Sequence, residues 1–135
     1  MQIMTEARTM LGDGVYTICG SFRRGAPNMH DVDIVMTGTT QAPPTDVLQQ
    51  LAQRLRRRGC LTHLVSMPRS SNARVDVVQM VYRATPTALH RRVDVVFAQR
   101  AQYGAAVLGW TGSVVYERDL RRWARSKGYS VRICI

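Results

Sequence analysis

The chain has 135 residues, enough for one domain, and 45% of them are hydrophobic, enough for an ordinary buried core. No apolar run reaches bilayer length and no secretory leader opens the sequence; the three cysteines (Cys19, Cys60, Cys134) suit neither a disulfide framework nor a zinc motif, so reduced thiols inside a cell are expected. The formal net charge is +10, and all but one of the 19 basic residues are arginine, Lys127 being the exception. That excess points to a polyanion, nucleic acid first, because the guanidinium fork matches phosphate.

Residues 2–11 carry a weak helical pattern through Ile3, Ala7, Met10 and Leu11. "GDG" (12–14) is a turn, and "VYTIC" (15–19) reads as a β-branched strand. "GSFRRGAPN" (20–28) is a Gly-, Arg- and Pro-containing connection into a second strand, "DVDIVMT". After the loop 38–44, Thr45 is expected to cap a helix whose apolar face is Val47, Leu48, Leu51, Ala52 and Leu55, closed by Gly59. Its basic end, Arg56, Arg57 and Arg58, suits the helix dipole.

Three strands are expected over 60–66, 74–82 and 91–98, the first two joined by a short turn at 67–73. Helices follow near 101–109 and 113–127, the second ending at Gly128, and a last strand runs from Tyr129 to the end. This rhythm predicts an α+β fold: one mixed β-sheet with flanking helices, in a single domain.

"HDVDIV" (30–35) sets Asp31 and Asp33 in an otherwise apolar strand. Residues two apart share a face, with Cα atoms about 7 Å apart. Like charges so close raise each other's pKa unless a cation lies between them. A polar turn holding Gly20, Ser21 and Arg24 lies just upstream, and its backbone N–H groups and arginine suit phosphate. Phosphate beside paired carboxylates predicts a divalent cation, Mg²⁺ by its preference for hard oxygen ligands. Two such ions would activate a hydroxyl and steady a leaving pyrophosphate. A third carboxylate is then needed, and "RVDVV" occurs twice, at 74–78 and 92–96. Local pattern does not separate Asp76 from Asp94; the one left over is expected to face solvent beside an arginine.

Together, "CGSFRRGAPNMHDVDIVMT", "HRRVDVVF" and "GWTGSVVYERDLRRWA" resemble the catalytic palm of family X DNA polymerases, over nearly the whole chain. "CGSFRRGA" is similar to the polymerase beta and lambda branch. "HDVD", "RRVD", "GWTGS" and "ERDLRR" are closer to polymerase mu and terminal deoxynucleotidyl transferase. The resemblance implies a nucleotidyltransferase palm over 1–108 and a truncated C-terminal nucleotide-binding subdomain over 109–135. It implies that Asp31 and Asp33 bind both metals, and that Asp94, rather than Asp76, binds the catalytic one and helps activate the primer 3′-hydroxyl. Gly20, Ser21, Arg24 and His30 would surround the triphosphate. Gly109, Trp110 and Gly112 would line the sugar and base, with no bulk at position 109 to crowd a ribose 2′-hydroxyl. Arg92 would lie near the primer terminus, and Arg118 and Arg121 would touch DNA.

The implied activity is addition of nucleotides from a nucleoside triphosphate to a DNA primer or 3′ end, of low-fidelity repair or gap-filling type. Two Mg²⁺ would serve it, with Mn²⁺ able to substitute, and the setting would be intracellular, nuclear or viral/cytoplasmic. Alternatives are a template-independent terminal transferase, an RNA or protein nucleotidyltransferase, and an inactive DNA-binding palm. Nothing here resembles the family's lyase domain, its helix-hairpin-helix clamps or most of its C-terminal subdomain, so weaker affinity, processivity and fidelity are expected. Val114 stands where those relatives carry polar or charged residues. Trp123 is expected on the inner face of its helix.

Overall fold

A computed structural model describes residues 2–67 and 73–131. In chain order the elements are α1 (Gln2–Leu11), β1 (Val15–Ile18), α2 (Gly20–Arg23), β2 (Asp31–Thr37), α3 (Pro44–Arg57), β3 (Leu61–Ser66), β4 (Val75–Tyr82), β5 (Arg91–Ala98), α4 (Tyr103–Thr111) and α5 (Val114–Ser126). A single 3₁₀ turn, Arg100–Gln102, leads into α4. The strands form one five-stranded sheet in the order β1-β2-β5-β4-β3. β2 and β5 pair parallel, and the other neighbours pair antiparallel. The crossover that a parallel pair requires is the whole segment α3–β3–β4. The mixed sheet with flanking helices is the fold expected from the sequence.

Strand alternation sorts the core into two layers. On one face, Ile34, Met36, Val93, Val95 and Phe97 pack with Leu48, Leu51 and Leu55 of α3 and Ile3 of α1. All nine are essentially inaccessible to water, so Leu51→Ala would cost about 2–5 kcal/mol. On the other face, Val35, Val96 and Ala98 pack with Cys19 and with Ala106 of α4. β2 therefore sends odd positions to the α4 side and β5 sends even positions there.

The basic end of α3 does more than complement its dipole. Arg58 Nε lies 2.5 Å from Glu6 Oε1, and Arg54 lies 3.7 Å from Oε2. Glu6 is buried on α1, so this pair locks α1 to α3.

Three local expectations change. Pro43 is the N-cap of α3 and Pro44 its first residue, because a proline at N1 has no N–H to leave unsatisfied; Thr45 lies inside the helix and is buried. The polar turn expected after β1 forms as one helical turn, Gly20–Arg23. Trp123 is 60% exposed, because the buried stripe of α5 runs through Glu117 and Ala124 instead. Residues 129–131 are not strand, and the rest of that expected strand, like most of the turn at 67–73, lies outside the described residues.

Candidate active site

The parallel register of β2 on β5 sets Asp33 directly opposite Asp94, and Asp31 opposite Arg92. All four positions fall on the α4 side of the sheet. Asp94 is 2% exposed and has both oxygens engaged. Arg92 donates Nε to Oδ1 at 3.2 Å and Nη2 to Oδ2 at 3.0 Å; Gln79, opposite Asp94 on β4, donates Nε2 to Oδ2 at 2.9 Å. Asp33 has no such fork. Burial pushes its carboxyl up to about 6, and the neighbouring charges of Asp31 and Asp94 add to that, against the opposing pull of Arg92 and Arg24.

The second "RVDVV" copy goes to the opposite face. Asp76 pairs with Phe97, on the α3 side. Its Oδ2 accepts a 3.0 Å hydrogen bond from Thr45 Oγ1, and its Oδ1 accepts one from its neighbour's amide, Val77 N, at 2.9 Å. The sequence-based expectation of a solvent-facing residue beside an arginine is corrected: Asp76 is half-buried and anchors the first turn of α3.

The turn α2 is built against the carboxylates. Cys19 N donates to Asp33 O at 2.8 Å. Gly20 has φ +58°, and a Cβ there would sit 2.0 Å from Asp33 Oδ2, so only glycine fits. Arg24 Nη1 donates to Thr111 O at 2.6 Å, joining the turn to the end of α4. Gly112, at φ +68°, ends α4, and its peptide bond to Ser113 is cis. Ser113 then caps α5 by accepting from Tyr116 N at 3.4 Å.

These elements enclose a cleft of about 750 Å³. The structure brings together there Gly20, Ser21, Arg24, Asp31, Asp33, Arg92 and Asp94, with Gly109, Trp110 and Gly112 from the other wall. Gly109 is buried within α4 and has no positive φ, so it is not a helix cap. His30, Arg118 and Arg121 do not line the cleft. His30 is exposed just before β2, Arg118 lies 3.6 Å from Asp119, and Arg121 Nε donates to Glu117 O at 3.2 Å.

Two polar lining residues escape sequence reasoning. Gln79 could have been found by laying β4 against β5, which places it opposite Asp94. Glu117 sits inside "ERDLRR", where an acid between exposed positions looks like solvated helix surface. It is 1% exposed, and neither carboxylate oxygen has a hydrogen-bond partner among the described residues.

The acid set suits a hard divalent cation in chemistry: three carboxylates border one cleft, and burial plus mutual repulsion raises the pKa of Asp33. Among the described residues no three metal-ligating side chains already converge as a closed cage. Both oxygens of Asp94 are held by Arg92 and Gln79.

Residues 1–100 match the family model of the DNA polymerase beta palm, and residues 106–132 match that of the DNA polymerase beta thumb. The chain is 31% identical to a DNA nucleotidylexotransferase of Ambystoma mexicanum over 92% of its own length and 31% of that protein. It is 28% identical to DNA polymerase lambda of Rattus norvegicus over 84% of its length and 20% of that protein. A DNA nucleotidylexotransferase of Xenopus laevis is 30% identical over 83% of this chain and 28% of its own. The chain thus spans a third or less of the curated relatives it matches.

Proposed function

The chain belongs to the DNA polymerase beta family, the family X polymerases, and from that premise we propose that it is a nucleotidyltransferase adding nucleotides from a nucleoside triphosphate to a DNA 3′-hydroxyl. One observation carries the reading. Asp31, Asp33 and Asp94 reach one face of the sheet, through a register that also sends the look-alike Asp76 to the other face.

Family X polymerases are metal-dependent. In this chain Asp31, Asp33 and Asp94 would hold the ions, Mg²⁺ by the hardness of the donor set, with Asp94 released from Arg92 and Gln79. Bound there, two ions would activate the attacking hydroxyl and offset charge on the leaving pyrophosphate. The chain's own groups position the reactants. Gly20, Ser21 and Arg24 border the cleft beside the acids, where a triphosphate's charge meets backbone N–H groups and a guanidinium. Arg92, freed from Asp94, would be left as a cation for a DNA phosphate. Gly109 and Trp110 offer a shallow, flat wall for sugar and base.

The test extends a labelled DNA primer with dNTP or NTP, with and without template, in Mg²⁺ or Mn²⁺. Metal-dependent addition in the wild type, lost in Asp31→Asn, Asp33→Asn and Asp94→Asn, is expected. No addition under any condition would overturn the reading. A second reading, addition without a template, is favoured by the likeness to DNA nucleotidylexotransferase over 92% of the chain. The template-free arm decides it.

A further inference from the structure

Gln79 is the one polar side chain that β4 turns to the α4 side of the sheet, where its same-face neighbours are Val75, Val77 and Val81. It is half-buried and borders the cleft. Its amide donates to Asp94 through Nε2 at 2.9 Å, and Oε1 has no hydrogen-bond partner among the described residues. Sheet order gives this amide a definite place. β2 lies on one side of β5 and β4 on the other. The turn α2, suited to phosphate, is built against Asp33 of β2. In phosphoryl transfer the attacking and leaving oxygens lie roughly in line across the phosphorus. With a triphosphate on the β2 side, the attacking chain end would lie on the β4 side of Asp94, over Gln79 and Val77. Once Asp94 turns from its clamp to a cation, the Gln79 amide loses its partner, and a half-buried amide among valines is costly to leave unbonded.

We propose that Gln79 reads the last sugar of the acceptor strand and favours a ribose, taking its 2′-hydroxyl as hydrogen-bond partner in place of Asp94. This rests on the nucleotidyltransferase reading and widens its acceptor to strands that end in RNA. The 2′-hydroxyl stands one carbon from the attacking 3′-hydroxyl and is both donor and acceptor, which matches an amide that carries both. A deoxyribose end offers the amide only a methylene group. The preference concerns the acceptor end alone and is separate from position 109, which bears on the sugar of the incoming nucleotide.

The test uses labelled primers of one sequence that differ only in the last sugar: deoxyribose, ribose, or 2′-fluoro, which keeps an electronegative atom and loses the hydroxyl donor. Their phosphates are equal in number, so the electrostatic part of binding cancels. Single-nucleotide addition gives kcat/KM for each primer. Fluorescence anisotropy in Mg²⁺, with no nucleotide present, gives affinity without turnover. For the wild type, the ribose end is expected to exceed the deoxyribose end by about fivefold in both, the worth of one hydrogen bond, with the 2′-fluoro end close to deoxyribose. Gln79→Leu, apolar and of similar size, should bring the ribose/deoxyribose ratio close to one. Gln79→Asn, which keeps the amide on a shorter stem, should fall between. A wild-type ratio near one, a 2′-fluoro end as good as ribose, or a ratio that Gln79→Leu leaves intact overturns the proposal. So does an equal loss with all three primers together with a lower Tm, which marks Gln79 as a support for Asp94 and nothing more. If no nucleotide is added but the ribose end still binds better and Gln79→Leu removes the difference, the activity reading fails and sugar reading by Gln79 stands; equal binding without addition sinks both.

Discussion

Asp33 and Asp94 face each other across a parallel strand pair, one carboxylate with a raised pKa and the other clamped by arginine. Asp94 and its look-alike Asp76, on the opposite face, should respond differently to the same substitution. Asp94→Asn should remove transfer activity by about a hundredfold or more, since a metal ligand supplies several kcal/mol to the transition state. Asp76→Asn should keep most activity and instead lower stability by about 1 kcal/mol, through its bond to Thr45. Primer-extension rates and melting curves of the two variants separate these effects. Equal losses of activity would mean that strand register does not select the active acid.

The raised carboxyl of Asp33 has a definite pH signature. Its value in the fold, about 6, lies above the ordinary 3.8. The folded state therefore prefers the protonated form. Its stabilising contribution is full below about pH 4 and is lost as pH rises through about 6. At pH 8 without divalent cation, Asp33→Asn should be more stable than the wild type by roughly 1–2 kcal/mol, once partial solvent screening is allowed for. At pH 4 the difference should vanish. Added Mg²⁺ should stabilise the wild type at pH 8, much less at pH 5, and the variant least of all. Melting curves at these pH values read all of it.

Gly20→Ala should be far more damaging than its size suggests. The new methyl group would meet Asp33 Oδ2 at 2.0 Å, on a backbone with φ +58°. Asp33 must move, so activity should fall by at least about tenfold while stability drops by about 1–2 kcal/mol. Full activity in Gly20→Ala would show that the turn has slack enough to re-form around the acid.

If the cleft takes a nucleoside triphosphate as proposed, Gly109 bears on sugar choice. It lines the cleft from within a regular helix, with no bulk to meet a ribose 2′-hydroxyl. The wild type should discriminate poorly between dNTP and NTP. Gly109→Tyr should slow NTP addition more than dNTP addition, and kinetics with both sugars checks it. Strong rejection of NTP by the wild type would place the sugar guard elsewhere.

Periodicity was enough to locate most of the scaffold. The α3 stripe of Val47, Leu48, Leu51, Ala52 and Leu55 is all buried, as its spacing predicts. The strands at 74–82 and 91–98 form within a residue of expectation. The start of α3 was misread because Thr45 is a good cap by type, while Pro44 fits N1 better by geometry. Trp123 faces out because the inner face of α5 runs through Glu117 and Ala124. That face includes Glu117, a residue whose burial no hydrophobic pattern reveals. The turn holding Gly20, Ser21 and Arg24 and the first two acids of the candidate site are legible as a local motif. The third acid was not legible locally, because its face depends on which strands become neighbours.

The paired "RVDVV" segments show what the sheet adds to the string of letters. As text they are the same word, and no dictionary of motifs distinguishes them. Pairing gives each a parity: Asp94 falls opposite Gln79, and Asp76 opposite Phe97. One copy turns its acid to the cleft and the other turns its acid to the start of α3. Such a protein can carry the same five letters twice without carrying a second site, and exchanging the two pentapeptides would leave it unchanged. Meaning resides in address, and the address is written by neighbours far away along the chain.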